Sequence, residues 1–159
     1  MESPIIYLAT DHAGLELKNT VRDWLIEEGY VVEDCGAHVY DDKDDYPDYI
    51  HLAARAVAAD PISRKAIIFG GSGQGEAMQA NRYQKVRAAV YYGGPDEIIT
   101  LSRQHNDANV LSIGARFVTI NKAKEAIWTW LHSESLTDDK YQRRNIKLDR
   151  LINNDDKSK

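Results

Sequence analysis

A carboxylate stands directly behind a glycine-rich turn in residues 69–76, FGGSGQGE. The turn follows an apolar run at 66–68 and so predicts a strand-to-helix connection. Its small residues let several backbone N–H groups converge on one anion, where Glu76 would serve as a base. The turn residues in question are Gly71, Ser72, Gly73, Gln74 and Gly75. Glu76 also fits an ordinary first helical turn, where it complements the helix dipole, and this segment alone favours neither interpretation.

Two polar pairs place histidines where they could move protons. Asp11-His12 ends the first apolar run, and His105-Asn106 follows a helical pattern before the last apolar run. Histidine titrates near neutrality and can protonate or deprotonate a substrate oxygen. We expect His105 to reach the same edge as Glu76. Helix capping by Asp11 and by Asn106 explains the same residues without chemistry.

Nucleotide and metal motifs find little support. The turn fits neither GxxxxGK[ST] nor GxGxxG, and the histidines show no zinc-type spacing. The acidic run at 41–45 lacks the EF-hand pattern, so we interpret it as a solvated loop. We therefore expect neither a bound metal nor a bound nucleotide.

Five short apolar runs alternate with helical patterns and position these residues. The runs predict strands at 5–9, 30–32, 66–69, 86–91 and 110–113, and helices at 15–26, 47–59, 76–81, 96–103 and 121–131. The fold class is α/β, a single doubly wound Rossmann-like domain with a five-stranded parallel sheet covered by helices on both faces. Ligands bind beyond the carboxyl ends of such strands, where Asp11-His12, the 71–75 turn and Arg116 fall.

The last predicted element is basic. Residues 137–151 carry Lys140, Arg144 and three further cations among apolar residues. A C-terminal helix projecting from the body is the simplest interpretation, although composition alone favours a merely solvated terminal helix. We assign residues 1–152 to the domain and expect 153–159 to be disordered.

Composition limits the class of protein. The chain has 159 residues, enough for one core, and a net charge of −5 argues against nucleic acid or an anionic membrane as the main partner. The single cysteine, Cys35, suits a reducing compartment, and we expect it to be a small buried residue. No signal or membrane-spanning pattern occurs, so we predict a cytoplasmic protein.

Taken together, the polar motifs resemble those of the type B ribose-5-phosphate isomerase family, which also includes galactose-6-phosphate isomerase subunits. They are TDHAG at 10–14, DYPDY at 45–49, GSGQGE at 71–76 with Ala80-Asn81, SRQHNDANV at 102–110 and GAR at 114–116. The resemblance covers about residues 5 to 150 in order.

The resemblance implies interconversion of ribose 5-phosphate and ribulose 5-phosphate without metal or organic cofactor. Family members use a cysteine before the glycine loop or a glutamate after it, and Gly70 here occupies the cysteine position, so Glu76 is the implied base. His105, with Asp11, would open the sugar ring. The loop N–H groups and the Ser72 hydroxyl would stabilise a cis-enediolate. Asn106 would hold sugar oxygens.

The same resemblance assigns the phosphate to His12, Arg116 and a basic pair matched here by Lys140 and Arg144. Lys140-Tyr141 departs from the usual Arg-His, which leaves the sugar's length open. A four- or six-carbon sugar phosphate is therefore the alternative substrate. A non-catalytic sugar-phosphate sensor is a further alternative, and a dinucleotide-binding enzyme the weakest. Tyr46 would pack against the sugar or belong to the core or rim.

Family members are dimers whose sites are completed by the neighbouring chain. The resemblance thus implies a homodimer with shared active sites, and it leaves open whether two dimers form a tetramer.

Overall fold

The computed structural model describes residues 3–150, which form one parallel five-stranded sheet flanked by helices. The strands are β1 (Ile5–Thr10), β2 (Val32–Asp34), β3 (Arg64–Gly70), β4 (Ala88–Tyr91) and β5 (Val110–Gly114), in the order β2-β1-β3-β5-β4. The helices are α1 (Leu15–Glu27), α2 (Pro47–Ala59), α3 (Gln74–Ala80), α4 (Glu97–Gln104), α5 (Ile120–His132) and α6 (Asp139–Leu148), with a 3₁₀ turn at His12–Gly14. The predicted α/β fold class is confirmed.

Each face of the sheet has its own apolar core, as alternation along β3 shows. Ile67 and Phe69 pack in the core beneath α1, α4 and α5, whereas Ala66 and Ile68 pack in the core beneath α2 and α3. Side chains alternate between faces along a strand, so a continuous apolar run fits a strand covered on both sides.

The strand order changes direction at β1, whose neighbours are β2 and β3. The loops leaving β1 and β3 therefore run to opposite faces, and a crevice opens between the carboxyl ends of these strands. Thr10 pairs with Phe69 at that point. The turn before His12 and the glycine loop after Gly70 thus lie side by side.

The second strand lies later than expected. Residues 30–32 were expected to form it, but it spans Val32–Asp34. The backbone N–H of Tyr30 donates to the Leu25 carbonyl over Gly29, which has a φ of 87°. This closure of α1 uses Tyr30, the first residue that the apolar pattern assigned to the strand.

The C-terminal helix α6 packs lightly on the amino-terminal edge of the sheet. Asn145 is its buried residue, and its Nδ2 donates to the His105 carbonyl. Among the helices described, none is long and apolar enough to cross a membrane. The expected disordered segment 153–159 lies outside the described residues, and the 1–152 boundary stays a prediction.

Candidate active site

The carboxyl ends of β1, β3 and β5 bring together a group of polar residues, called here the carboxyl-edge site. The group consists of Asp11, His12, Tyr46, Gly71, Ser72, Gly73, Gln74, Gly75, Glu76 and Arg116. The expectation that Asp11-His12, the glycine loop and Arg116 share one edge is thus met by the geometry.

Glu76 is the buried acid of this site, with 4% of its surface exposed. Its carboxylate packs against the Cα of Gly70, and a Cβ at position 70 would overlap it. Burial raises the pKa of Glu76, and the nearby Asp11 carboxylate adds to the shift. A carboxylate that is costly to ionise holds a proton more readily, as a base that must return its proton requires.

The glycine loop is held from the neighbouring strand. The Ser112 hydroxyl on β5 donates to the Gly73 carbonyl at 2.6 Å. Gly73 has a φ of 76°, and a Cβ there would come within 3.0 Å of the Ile113 carbonyl carbon. The Ser72 Oγ accepts from the Gln74 N–H at 3.4 Å. The loop therefore requires glycine at 73, and β5 fixes its path past Glu76.

Asp11 and His12 form the second part of the carboxyl-edge site. The Asp11 carboxylate accepts from the Ala13 N–H at 3.0 Å, so it caps the 3₁₀ turn. It is 8% exposed and acts on the pKa of Glu76, so capping and proximity to the acid coexist. His12 is held by Asp44, with 2.6 Å between Nδ1 and Oδ1.

Arg116 and Tyr46 flank the glycine loop. The Arg116 backbone N–H donates to the Gly71 carbonyl at 3.1 Å, and its Nη1 lies 3.3 Å from where a Cβ on Gly71 would stand. Arg116 makes no ion pair with any carboxylate of residues 3–150. The Tyr46 hydroxyl lies 2.7 Å from where a Cβ on Gly75 would stand, so Tyr46 covers the first turn of α3.

His105 and Asn106 are not at this edge, contrary to our expectation. They precede β5, which runs parallel to β3, whereas Glu76 follows β3. The five residues of β5 separate the two edges by roughly 15 Å. The prediction that His105 reaches the edge of Glu76 is therefore wrong within one chain, because a parallel strand keeps its two ends apart.

His105 instead joins residues of α6 in what we call the amino-edge cluster, comprising His105, Asn106, Lys140, Tyr141 and Arg144. The His105 and Tyr141 rings stack with centroids 4.4 Å apart, and Lys140 Nζ lies 4.6 Å from the Tyr141 ring centroid. Lys140 and Arg144 form no ion pair with carboxylates of residues 3–150. This surface is basic and open.

Asp44 is a site residue that sequence reasoning missed. We predicted a solvated loop at 41–45, but the Asp44 side chain is only 5% exposed and binds His12. Its neighbours Asp41, Asp42 and Lys43 are exposed as expected. One acid in a run of four carried no signal that distinguished it from the rest.

The described residues also offer one group of ligand-type atoms. Asp11, His12 and Asp44 bring three such atoms within 4.8 Å of one another. His12 Nδ1 and Asp44 Oδ1 are 2.6 Å apart, closer than two ligands of one ion, which are about 3 Å apart or more. The geometry is therefore that of a hydrogen-bonded pair.

Cys35 is half-buried beside the second core, where we expected a buried residue. Burial and the neighbouring Asp34 and Glu33 raise the pKa of its thiol to about 11. A thiol with that pKa is a poor nucleophile at neutral pH.

The fold and site define a doubly wound α/β protein with a buried acid beside a glycine-rich loop. The family model described as Ribose/Galactose Isomerase matches residues 6–148. The chain belongs to this family, which confirms the resemblance.

Individual relatives agree. The chain is 37% identical over 139 residues to ribose-5-phosphate isomerase B of Mycolicibacterium paratuberculosis, covering 87% of this chain and 86% of that protein. It is 36% identical over 129 residues to ribose-5-phosphate isomerase B of Escherichia coli, covering 81% and 84%. A crystal structure of ribose-5-phosphate isomerase B from Mycoplasma genitalium with bound ribulose-5-phosphate superposes with a TM-score of 0.88 at 33% identity, covering 94% and 97%.

Proposed function

We propose that this protein is an aldose–ketose isomerase that interconverts ribose 5-phosphate and ribulose 5-phosphate, with Glu76 as the base. The observation that carries the proposal is the buried Glu76 carboxylate against Gly70, beside a glycine loop. A sensor needs anion ligands but has no need of an acid that is costly to bury. Relatives named ribose-5-phosphate isomerase B support the choice of substrate.

The proton transfer follows from the position of Glu76. The carboxylate removes the proton from C2 of the open-chain aldose, and the electron pair moves through C1 to O1, which gives a cis-enediolate. Loop N–H groups from 71–75 and the Ser72 hydroxyl donate to the enediolate oxygens. O1 gains a proton, O2 loses one, and protonated Glu76 returns its proton to C1, which leaves the ketose.

Two groups bind the phosphate at the carboxyl-edge site in this proposal. His12 donates from its ring, and Arg116 supplies a guanidinium that has no carboxylate partner among residues 3–150. Arginine matches phosphate geometry through its planar fork.

The reaction also needs a group that opens the sugar ring, and the amino-edge cluster supplies it from a second chain. We infer a homodimer in which the partner's His105 opens the ring, the partner's Asn106 holds sugar oxygens, and the partner's Lys140 and Arg144 complete the phosphate site. Exposed Tyr92 and Phe117, a T-shaped pair with centroids 6.2 Å apart close to Arg116, provide apolar contact area for this association. We place the enzyme in the cytoplasm; whether two dimers associate is a separate question.

Position 141 bears on the length of the sugar phosphate. Tyr141 covers His105 and leaves Lys140 as a point charge, so the phosphate would sit differently from the family's Arg-His pattern. The alternative is the same chemistry on a four- or six-carbon sugar phosphate.

The test is turnover of ribose 5-phosphate to ribulose 5-phosphate in the presence of chelator, with Glu76→Gln and the exposed Glu27→Gln as matched variants. We expect metal-independent turnover, lost about 10³-fold in Glu76→Gln and retained in Glu27→Gln. Turnover of only a four- or six-carbon sugar phosphate would show that this sugar, and not ribose 5-phosphate, is the substrate. Binding of these sugar phosphates without turnover of any of them would contradict the proposed isomerase activity.

A further inference from the structure

One carboxylate of the acidic loop between β2 and α2 is turned inward. The Asp44 side chain is 5% exposed, although Asp41 and Asp42 beside it are exposed. A buried carboxylate is costly unless it is compensated, so its contacts identify its role.

Both hydrogen bonds of the Asp44 side chain go to one residue. Asp44 Oδ1 lies 2.6 Å from His12 Nδ1 and also accepts from the His12 backbone N–H at 3.1 Å. A single oxygen therefore fixes the imidazole relative to its own backbone. Because Nδ1 faces a carboxylate, Nε2 is the ring nitrogen left to bind a ligand.

The environment of the ring favours its charged form. Asp44 Oδ2 is buried and has no hydrogen-bond partner within residues 3–150, so the imidazole is the group that compensates this carboxylate. The hydrogen bond to Asp44 raises the pKa of His12, with Asp11 adding to it and with desolvation and Arg116 opposing it. The titratable and charged groups around this pair are Asp11, Tyr40, Asp44, Tyr49 and Arg116.

We propose that Asp44 is a positioning residue that holds His12 as a phosphate-binding imidazolium with Nε2 directed to the ligand. The proposal rests on the proposed function in one respect, which is that His12 binds the phosphate. Asp44 acts through His12 and does not touch the substrate. The acidic loop therefore supports anion binding, because the negative charge of Asp44 is neutralised by the His12 imidazolium.

The test compares Asp44→Asn with Asp42→Asn, a matched change at an exposed position of the same loop. Asparagine keeps an oxygen for the His12 N–H but removes the charge. Inorganic phosphate is titrated by calorimetry between pH 7 and 9, and the His12 ring nitrogens are followed by NMR, assigned with His12→Gln. We expect Asp44→Asn to bind phosphate about ten-fold more weakly and Asp42→Asn to match the parent.

The direction with pH follows from the charge. A raised pKa keeps the parent imidazolium charged above 6.5, the ordinary value, so its phosphate affinity falls only at higher pH. In Asp44→Asn the His12 titration moves to lower pH, and the loss of affinity moves with it.

Two further measurements separate a positioning role from a structural one. Asp44→Asn in a His12→Gln background should cost no additional phosphate affinity, because the effect passes through the ring. With sugar phosphate, KM should rise more than kcat falls. An equal additional loss in that background, or an unchanged His12 titration, would overturn the proposal. Phosphate binding and NMR do not require turnover, so a failure of the proposed isomerase activity would be seen separately.

Discussion

The two edges of the sheet are built in different ways. In the carboxyl-edge site the Ser112 hydroxyl ties the backbone of the glycine loop to β5, and the absence of a side chain at Gly70 makes room for the Glu76 carboxylate. The amino-edge cluster rests on side chains, with His105 stacked on Tyr141 of a lightly packed helix. In the proposed reaction the first supplies the base and part of the phosphate site, and the second supplies His105 for ring opening and two further phosphate ligands.

Ion pairs connect the chain segments that lie beside the amino-edge cluster. Arg87 bonds Asp107 at 3.0 Å and Asp149 at 2.7 Å, and Arg103 bonds Asp107 at 2.7 Å. These pairs hold the start of β4, the loop before β5 and the end of α6 together. These ion pairs tie the carboxyl end of α6, which carries exposed cations, to the body of the domain.

The largest expected effect comes from filling the space that Glu76 uses. Gly70→Ala places a Cβ on the Glu76 carboxylate, so we expect about a 10³-fold loss of turnover, as large as that of Glu76→Gln. The change should add nothing to Glu76→Gln, since both act on one group. Steady-state kinetics of the two single variants and the double variant check this. Near-parental turnover of Gly70→Ala would show that the base does not work from this position.

His105→Gln tests the amino-edge cluster. We expect turnover of ribose 5-phosphate to fall about 10²-fold, because general acid–base help in ring opening is lost. His132→Gln is the control, since His132 also packs against an aromatic ring, that of Trp128, with centroids 3.9 Å apart. Equal turnover for the two variants would remove the cluster from the reaction.

Arg144→Met tests the cations of α6 against the exposed neighbour Arg143→Met. We expect Arg144→Met to raise KM about ten-fold with a smaller change in kcat, because a charged hydrogen bond to phosphate is lost. The same rise in KM for both variants would point to general attraction by the basic helix.

The smallest effect concerns stability. The folded-state pKa of Glu76 lies above 4.5, its ordinary value. The contribution of Glu76 to folding stability is therefore fully present below pH 4.5 and is lost as the pH rises through the raised pKa. Glu76→Gln does not titrate, so it should be more stable than the parent by about 1 kcal/mol at pH 8, with little difference at pH 4.5. Urea unfolding at both values measures this, and a pH-independent difference would refute the burial argument.

Local pattern predicted most of the fold because the three central strands β1, β3 and β5 are largely buried and read as apolar runs. The start of β2 was missed because Tyr30, which fits the apolar run of the strand, instead donates the hydrogen bond that closes α1 over Gly29. Propensity does not show where a helix-closing hydrogen bond ends one element and delays the next.

The order of the motifs along the chain located the carboxyl-edge site but did not show how far His105 lies from it. The position of His105 between a helical pattern and the last apolar run predicted that it could reach the edge of Glu76, whereas a parallel strand puts the two at opposite ends. Asp44 was missed because burial of one acid in an acidic run depends on a tertiary contact with His12. Both errors concern long-range geometry, which spacing along the chain does not encode.

The most direct measurement mixes two inactive proteins. Glu76→Gln and His105→Gln chains, co-expressed or exchanged to form hybrids, should recover about a quarter of parental turnover, because half the dimers are hybrids and each hybrid has one site with both parental residues. Each variant alone should stay low. Turnover in the mixture no higher than the average of the two variants would contradict an active site assembled from opposite edges of two chains.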